Sequence, residues 1–315
     1  MEILKKKVKQ SISPAIEWLL YSGIQNLDKK KKSYGSFNAW YNPDKKKFSY
    51  NYSEISGYLV TFMCFMFKLT KKKKFLERAK TAANWLINNA QKNDGSFQCL
   101  FLVDNKLRHL KKKELRTYTF DNGVIINGLV NLYKITKNNK YLRASIKCAN
   151  LIETKFTKSN GELSPIYDYK KKIFYENKEN WSEKPGPYHV KVSIGLVNLY
   201  NVTRIQKYLN LAKNINHAYL KHRNNFGDFI STKKTTNFHP FLYAIEGYWS
   251  TSKYIKLNNL NKLLKKSILW FISKSKNNRL PRLKVNSKFF YSERIDIYSQ
   301  ALRMLILLNL NKKKI

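Results

Sequence analysis

Three carboxylates are candidates for catalysis because of the segments that surround them. Glu54 and Asp121 each come just before a long apolar segment, where the start of a helix would hold an ionised carboxylate. Glu246 lies inside the apolar stretch FLYAIEGYW, where burial should raise its pKa unless Arg294 pairs with it. Two or three carboxylates in one site can divide the roles of acid and of base or nucleophile. We therefore predict that Glu54, Asp121 and Glu246 are catalytic.

Aromatic and charged side chains occupy the same place before the apolar segments. Tyrosine rings can stack on sugar faces, and arginine, lysine and histidine can hold a carboxylate. We predict a substrate-binding set for a glycan, expected to be anionic, such as one with a uronate. Hydrolysis would use the carboxylates, whereas abstraction of a proton from a sugar carbon would use tyrosine and histidine. The predicted substrate-binding residues are Tyr50, Tyr52, Tyr188, His189, His239, Arg294 and Asp296.

Each candidate also has a structural explanation. Asp121 and Glu54 are suited to the first turn of a helix, Glu246 can belong to a structural ion pair, and single histidines are often core residues. Carboxylates that converge in one concave pocket would favour an enzyme. Carboxylates that are scattered or ion-paired would favour the alternative, a module that binds a glycan or a protein without catalysis.

The candidates can meet only if the elements around them repeat. The hexapeptide GLVNLY occurs at 128–133 and again at 195–200, and its glycine aligns with a small residue in three other segments. These segments are apolar on nearly every side, which is typical of helices that are buried all round. The predicted inner helices begin near Ser53, Phe120, Tyr188, His239 and Glu293.

Amphipathic segments alternate with the apolar ones. Their apolar residues recur at i, i+3, i+4 and i+7, the pattern of surface helices. They lie at 75–90, 141–156, 208–223 and 260–275, with a degenerate first member at 13–23, and glycine turns follow at 34–37, 93–97, 159–163 and 225–229. No segment alternates with period two for long enough to form a sheet. The sequence predicts an all-α fold, an α/α toroid of about five hairpins in a single domain, 1–315, with the inner-helix starts lining one bowl.

The segment AKTAANWLINNAQKNDGSF resembles the repeat of α/α-toroid proteins. That superfamily includes six-hairpin glycosidases, uronate-acting hydrolases and epimerases, and terpenoid cyclases. The strings YSEISGYLV and YAIEGY are most similar to toroid proteins of bacterial surface-polysaccharide pathways. The resemblance implies a carbohydrate-active hydrolase, lyase or epimerase of surface-polysaccharide metabolism. The sequence lacks the DxDD and DDxxD motifs of terpenoid cyclases, so that chemistry fits less well.

The chain is strongly basic, with 61 Lys+Arg against 20 Asp+Glu and a net charge of +41. A polyanion such as nucleic acid, or an anionic membrane surface, is one interpretation of this charge. The other is a set of solvated lysine runs at loops and helix ends, which an AT-rich coding sequence also produces. A nucleic-acid-binding helical repeat is therefore the third hypothesis, and we do not expect nucleic acid to be the partner.

The remaining signals concern cofactors and location. Cys64, Cys99 and Cys148 lack metal-type spacing, and no glycine-rich nucleotide motif is present, so neither a metal nor a cofactor is predicted. The N-terminal segment has no long apolar stretch, and the longest apolar run is about half of a bilayer span. We predict a cytoplasmic protein without a membrane span; the oligomeric state stays open.

Overall fold

Buried inner helices alternate along the chain with amphipathic outer helices. The computed structural model describes residues 2–102, 110–177, 180–222, 235–256 and 259–310. The outer helices are α1 (Glu2–Tyr21), α3 (Lys73–Trp85), α6 (Asn139–Leu151), α8 (Gln206–Leu220) and α10 (Leu260–Ile272). The inner helices are α2 (Ser53–Thr70), α5 (Thr119–Thr136), α7 (Val192–Thr203), α9 (Phe238–Thr251) and α11 (Ile295–Leu307), and a short helix, α4 (Lys111–Glu114), precedes α5.

The helix starts agree closely with the apolar periodicity. Helix α2 begins at Ser53, as predicted, and α5 and α9 begin one residue before the predicted position. A 3₁₀ turn, Pro187–Lys191, leads into α7, and α11 begins two residues after Glu293. Short π-helical turns, Leu86–Ala90 and Ile152–Phe156, extend α3 and α6 over the predicted outer segments. The glycine turn at 225–229 lies outside the described residues.

Short strands occur only in the connections between helices of the described chain. They are β1 (Tyr41–Asn42), β2 (Lys47–Phe48), β3 (Asn51–Tyr52), β4 (Leu100–Phe101), β5 (Arg116–Tyr118), β6 (Ile166–Asp168), β7 (Ile173–Tyr175), β8 (Thr235–Asn237), β9 (Leu283–Val285) and β10 (Lys288–Phe290). Strand β1 pairs with β2, β3 with β4, β6 with β7, and β9 with both β8 and β10, all antiparallel. Strands this short form no layer of their own, so the all-α prediction is confirmed.

Contacts between Cα atoms group the chain into two units. The first unit is Met1–Thr117 with Gly128–Cys148, and the second is Tyr118–Asn127 with Ala149–Ile315. The first unit therefore holds α1 to α3, and the second holds α7 to α11. The single domain over 1–315 stays a prediction.

The repeated hexapeptide GLVNLY is a packing motif in both units. In the first unit, a Cβ added to Gly128 would lie 2.6 Å from the carbonyl oxygen of Gly57 in α2. In the second unit, a Cβ added to Gly195 would lie 2.6 Å from the carbonyl oxygen of Gly123 in α5. Only glycine allows two helix backbones to approach so closely. The leucines of both copies, Leu129, Leu132, Leu196 and Leu199, are completely buried, which confirms the prediction for them.

The threonine that follows both copies of the hexapeptide lies at the C-terminal end of its helix. Thr136 and Thr203 donate hydrogen bonds to the carbonyls four residues earlier, over 3.0 and 2.9 Å. The next residues, Lys137 and Arg204, adopt left-handed backbone and bond the carbonyls of Tyr133 and Tyr200. Both helices thus end in the same αL cap, which satisfies carbonyls that the helix leaves unpaired.

Helix α11 departs from the expectation of burial on every side. Ile297, Ala301 and Met304 are buried, but Ile295 and Ile306 are 82% and 61% exposed. Helix α11 packs against α9 and α10 on one side, so only that side loses its contact with water. No helix of the described residues is both long and apolar enough to cross a bilayer.

Candidate functional site

In the second unit, the starts of the inner helices place charged and aromatic side chains side by side. Helix α9 packs against the 3₁₀ turn before α7 and against α11, so the N-terminal ends of three inner elements meet. Side chains at such ends lie close to unpaired backbone N–H groups, which favour anions. We call this group the His239 cluster; its members are Trp181, Tyr188, Lys191, His239, Tyr243, Glu246, Arg294 and Asp296.

His239 lies against an ionised carboxylate that an arginine holds in place. Nδ1 of His239 is 3.1 Å from Oδ2 of Asp296, a contact that lies outside hydrogen-bond geometry and becomes an ion pair only when the imidazole is protonated. Arg294 donates to both carboxylate oxygens of Asp296, with 3.0 Å between Nε and Oδ1. Asp296 also accepts the backbone N–H of Ile297 at the start of α11. This fork fixes the carboxylate, and the carboxylate in turn faces the imidazole.

Burial and charge set the protonation states of this pair. Burial lowers the pKa of His239 to about 4, and Arg294 and Lys191 act in the same direction, while Asp296 opposes them. Burial alone would raise the pKa of Asp296, but Arg294 and His239 outweigh it and the pKa is lowered. At neutral pH the pair is therefore a neutral imidazole beside a carboxylate. A neutral imidazole can accept a proton, as a general base must.

Glu246 has partners that the sequence did not predict. Its carboxylate is 2.8 Å from Nζ of Lys191 and 3.1 Å from Nε of Arg303. Burial would raise the pKa of Glu246, but these two cations outweigh burial and the pKa is lowered. The expectation of a raised pKa, or of a pair with Arg294, was wrong, because α11 presents Arg303 to Glu246 while Arg294 binds Asp296. Glu246 is therefore ionised at neutral pH, and its catalytic role stays a prediction.

Aromatic rings surround the imidazole. The ring of Tyr243 lies 4.5 Å from that of His239, and Nζ of Lys191 lies 3.9 Å from the Tyr243 centroid. The Trp181 ring meets His239 at 5.6 Å and Tyr188 at 5.2 Å, edge to face in both cases. Rings near a polar group are a common setting for sugars, which present apolar faces beside hydroxyl groups.

Asp121 lies in the first turn of α5, as predicted, with 2% of its surface exposed. Burial is the main cause that raises the pKa of Tyr188, and the charge of Asp121 adds to it. Another buried carboxylate in this unit is Glu183, which accepts a hydrogen bond from Tyr118 over 2.9 Å and one from Asn177 over 3.0 Å. The structure thus gives the second unit a buried acid that the sequence did not single out.

His189 is completely buried, in contrast to what a substrate contact would need. Its Nδ1 lies 3.2 Å from the Tyr219 hydroxyl, its ring lies 4.1 Å from that of Tyr188, and Nε2 has no hydrogen-bond partner among the described residues. Burial lowers the pKa of His189 to about 3. These contacts favour a structural role, and the substrate-binding role of His189 stays a prediction.

The buried histidine makes stability depend on pH. Because the pKa of His189 is about 3 in the fold and 6.5 for a histidine in the unfolded chain, the unfolded chain binds the extra proton first as pH falls. The stability that the fold gains by keeping His189 neutral is complete above pH 6.5 and is lost as the pH falls toward 3. We expect His189→Gln to flatten the dependence of the free energy of unfolding on pH in this window. Urea titrations at several pH values measure this dependence. The control His217→Gln, at an exposed position, should keep the wild-type dependence on pH. The same dependence in the wild type and both variants would show that His189 is not its source.

The first unit holds the other predicted residues. Glu54 lies in the first turn of α2, and Tyr50 and Tyr52 come directly before it. The Tyr50 ring lies 5.9 Å from that of Tyr52 and 5.0 Å from that of Trp40, so the three rings form a row. The catalytic role of Glu54 and the binding roles of both tyrosines stay predictions.

All three cysteines lie inside the fold. Cys64, Cys99 and Cys148 are buried and free. Burial raises the pKa of Cys64 to about 12 and that of Cys148 well above its usual value. Within the described ranges, no three His, Cys, Asp or Glu side chains lie close enough together to hold a metal ion.

Some members of the His239 cluster and its surroundings escaped the sequence analysis. Tyr243 follows His239 by four residues, so helical spacing could have placed both side chains on one face. No pattern in the sequence pointed to Arg303 or Glu183. Arg303 lies in an apolar helix, and the sequence did not show which of its sides faces the cluster; Glu183 lies outside the repeating helices.

Comparison with known proteins supports the fold over nearly the whole chain. A GH76 α-mannanase from Bacteroides thetaiotaomicron superposes with a TM-score of 0.70 at 15% identity, over 96% of this chain and 80% of that chain. A cellobiose 2-epimerase from Bacillus thermoamylovorans superposes with a TM-score of 0.71 at 12% identity, over 92% of this chain and 82% of that chain. These likenesses show the α/α-toroid fold.

Similarity in sequence is more local among curated proteins. An uncharacterised protein of Caenorhabditis elegans is 23% identical over 105 residues, which is 33% of this chain but only 14% of that protein.

The family model of the β-L-arabinofuranosidase GH127 catalytic domain matches residues 4–240, well over half of the chain. The chain therefore belongs to the family of the β-L-arabinofuranosidase GH127 catalytic domain.

Proposed function

We propose that this protein is a carbohydrate-active enzyme that acts on an acidic glycan, with the His239 cluster as part of its active site. The family is named for a glycosidase, and the toroids that it resembles include an α-mannanase and a cellobiose 2-epimerase. The reaction is hydrolysis, elimination or epimerisation of a sugar residue. All three need a group that moves a proton next to a bound sugar.

The observation that carries the proposal is the neutral imidazole of His239 beside the carboxylate of Asp296. A histidine that is buried among rings, faces a fixed carboxylate and stays neutral at pH 7 is suited to accept a proton. A residue whose pKa is shifted both by burial and by a specific charged partner is a candidate for a functional site.

Two cations support an acidic rather than a neutral glycan. Lys191 and Arg294 both lower the pKa of His239, so both positive charges act where a ligand next to the imidazole would bind. Each already balances a carboxylate, but arginine and lysine retain further N–H donors for a second anion. The likeness of YSEISGYLV and YAIEGY to proteins of surface-polysaccharide pathways supports a role in that metabolism, and a cytoplasmic location fits that role.

The second candidate function is glycan binding without catalysis. The pairing of Glu246 with Lys191 and Arg303 favours it, because an ion-paired carboxylate is what a structural role predicts. The two candidates differ in what happens to a bound glycan, and not in which glycan binds.

Amide variants separate the two functions. We expect Asp121→Asn to lower the turnover of uronate oligosaccharides by about 100-fold or more at an unchanged melting temperature, and Glu54→Gln tests in the same assay the predicted catalytic role of a residue in the first unit. Glu246→Gln should instead lower the melting temperature, because it weakens a buried pair with two cations. Binding of uronate oligosaccharides by the wild-type protein without any turnover would leave glycan binding as the function, whereas unchanged turnover in the first two variants would contradict the catalytic roles of Asp121 and Glu54.

A further inference from the structure

The first unit contains a cavity of about 630 Å³ that none of the predicted catalytic or substrate-binding side chains lines. That volume is within the usual range for pockets that bind small molecules. We propose that this cavity is a binding site for an acidic saccharide, separate from the His239 cluster. The polar residues that line it are Asn26, Lys31, Lys32, Ser33, Asn38, Ser49, Asn51 and Asn89, and the apolar ones are Phe48, Trp85, Phe101 and Leu102.

The predicted tyrosines border the cavity in sequence but do not line it. Phe48, Ser49 and Asn51 line the cavity, whereas the ring of Tyr50 packs against those of Trp40 and Tyr52. The cavity is therefore a different surface from the one that the sequence predicted.

A network of buried amides shapes one wall. Oδ1 of Asn38 accepts a hydrogen bond from Asn51 over 2.9 Å and one from Asn26 over 3.5 Å. Nδ2 of Asn38 donates to the carbonyl of Ile24 over 3.1 Å, and Asn26 donates to the Ser36 hydroxyl over 2.9 Å. These bonds use the side chain of Asn38 and the Nδ2 groups of Asn26 and Asn51, whereas among the described residues no hydrogen bond goes to Oδ1 of Asn26 or of Asn51. The two oxygens are held in place and can accept from a ligand hydroxyl with little loss of side-chain freedom.

The other walls supply apolar surface and positive charge. The rings of Trp85 and Phe101 meet edge to face at 5.2 Å. Lys31 and Lys32 lie on the exposed loop at the edge, and none of the described residues that line the cavity is acidic. Nζ of Lys31 lies 3.6 Å from Asp28, but both side chains are largely exposed, so this pair is weak and Lys31 can turn to a ligand.

These three features together select the class of ligand. Amides and hydroxyls match the hydroxyl groups of a sugar ring, and apolar surface matches its C–H face. The two lysines match a carboxylate on that ring. A bare anion would use the lysines alone and leave the amide wall and the rings without contacts.

Calorimetric titration of the full-length protein tests the site, with D-glucuronate, D-glucose and inorganic phosphate as probes. We expect glucuronate to bind about tenfold more tightly than glucose, since a hydrogen bond to a charged group contributes more than a neutral one. Because the His239 cluster also carries cations, the variants are compared in an Arg294→Gln background, where Lys31→Gln/Lys32→Gln should remove this preference. The matched control Lys29→Gln/Lys30→Gln changes the same charge on the same loop at residues that do not line the cavity, and should keep it.

Several results would overturn the proposal. Equal affinities of glucuronate in the two double variants would mean that the lysines at the cavity do not bind it. Phosphate that binds as tightly as glucuronate would mean an anion site without saccharide recognition. A preference that is lost with Arg294→Gln, but kept in Lys31→Gln/Lys32→Gln, would place the uronate in the His239 cluster and leave this cavity without a role.

Discussion

Replacement of His239 by glutamine is expected to lower kcat by about 100-fold to 10,000-fold, the usual range for loss of a general acid or base. Glutamine keeps the size and polarity of the side chain but cannot accept a proton at neutral pH. The fold should persist, because His239 contributes no side-chain hydrogen bond through Nδ1 in the described structure. Single-turnover measurements and thermal melting on the same preparation check both statements. His217→Gln, on the exposed face of α8, should match the wild type in both.

The pH profile gives a second readout that a structural role of His239 would not change. Because the pKa of His239 is lowered to about 4, kcat/KM of the wild type should rise with pH through about 4 and then level off. The charge of Asp296 raises that pKa, so Asp296→Asn should shift the rise to still lower pH. A profile that is the same in wild type and Asp296→Asn would show that His239 is not the proton acceptor.

The second large effect concerns the core. Leu132→Ala and Leu199→Ala should each lower the free energy of unfolding by about 2–5 kcal/mol, because each removes a completely buried side chain and leaves a cavity. The two leucines stand at the same position of the two GLVNLY copies, so their effects should be similar. Leu69→Ala in α2, where the side chain is 67% exposed, is the control and should change stability little. Denaturant titration measures all three. Loss of ligand binding at unchanged stability would show that GLVNLY belongs to a site and not to the core.

The sequence predicted the helices well because their signal is local. The start of α9 was predicted one residue away from Phe238, where the chain changes from a strand to an all-apolar helix. The sequence also aligned the glycines that begin the two GLVNLY copies, in α5 and α7, and the structure shows both at a close approach of two helix backbones. Periodicity of apolar residues depends only on neighbours in the chain, so one sequence is enough to read it.

The site was harder to predict because it depends on which side chains face each other. The sequence placed Arg294 near a helix start and Glu246 inside an apolar segment, but could not tell that Arg294 would bind Asp296. That choice is decided by the rotation of α11 about its axis, which brings Arg303 to Glu246 instead. A rotation of one residue changes the facing side by about 100 degrees, and no local pattern encodes it.

The most direct test of the central claim is a ¹H NMR time course of the wild-type protein with a uronate-containing oligosaccharide, a β-L-arabinofuranoside and cellobiose. The anomeric protons report hydrolysis, elimination and epimerisation in one spectrum, and line broadening reports binding. We expect the uronate-containing oligosaccharide to be converted, and to be converted faster than the two neutral glycosides. Binding of the oligosaccharide with no change in its anomeric signals over many hours would contradict the account.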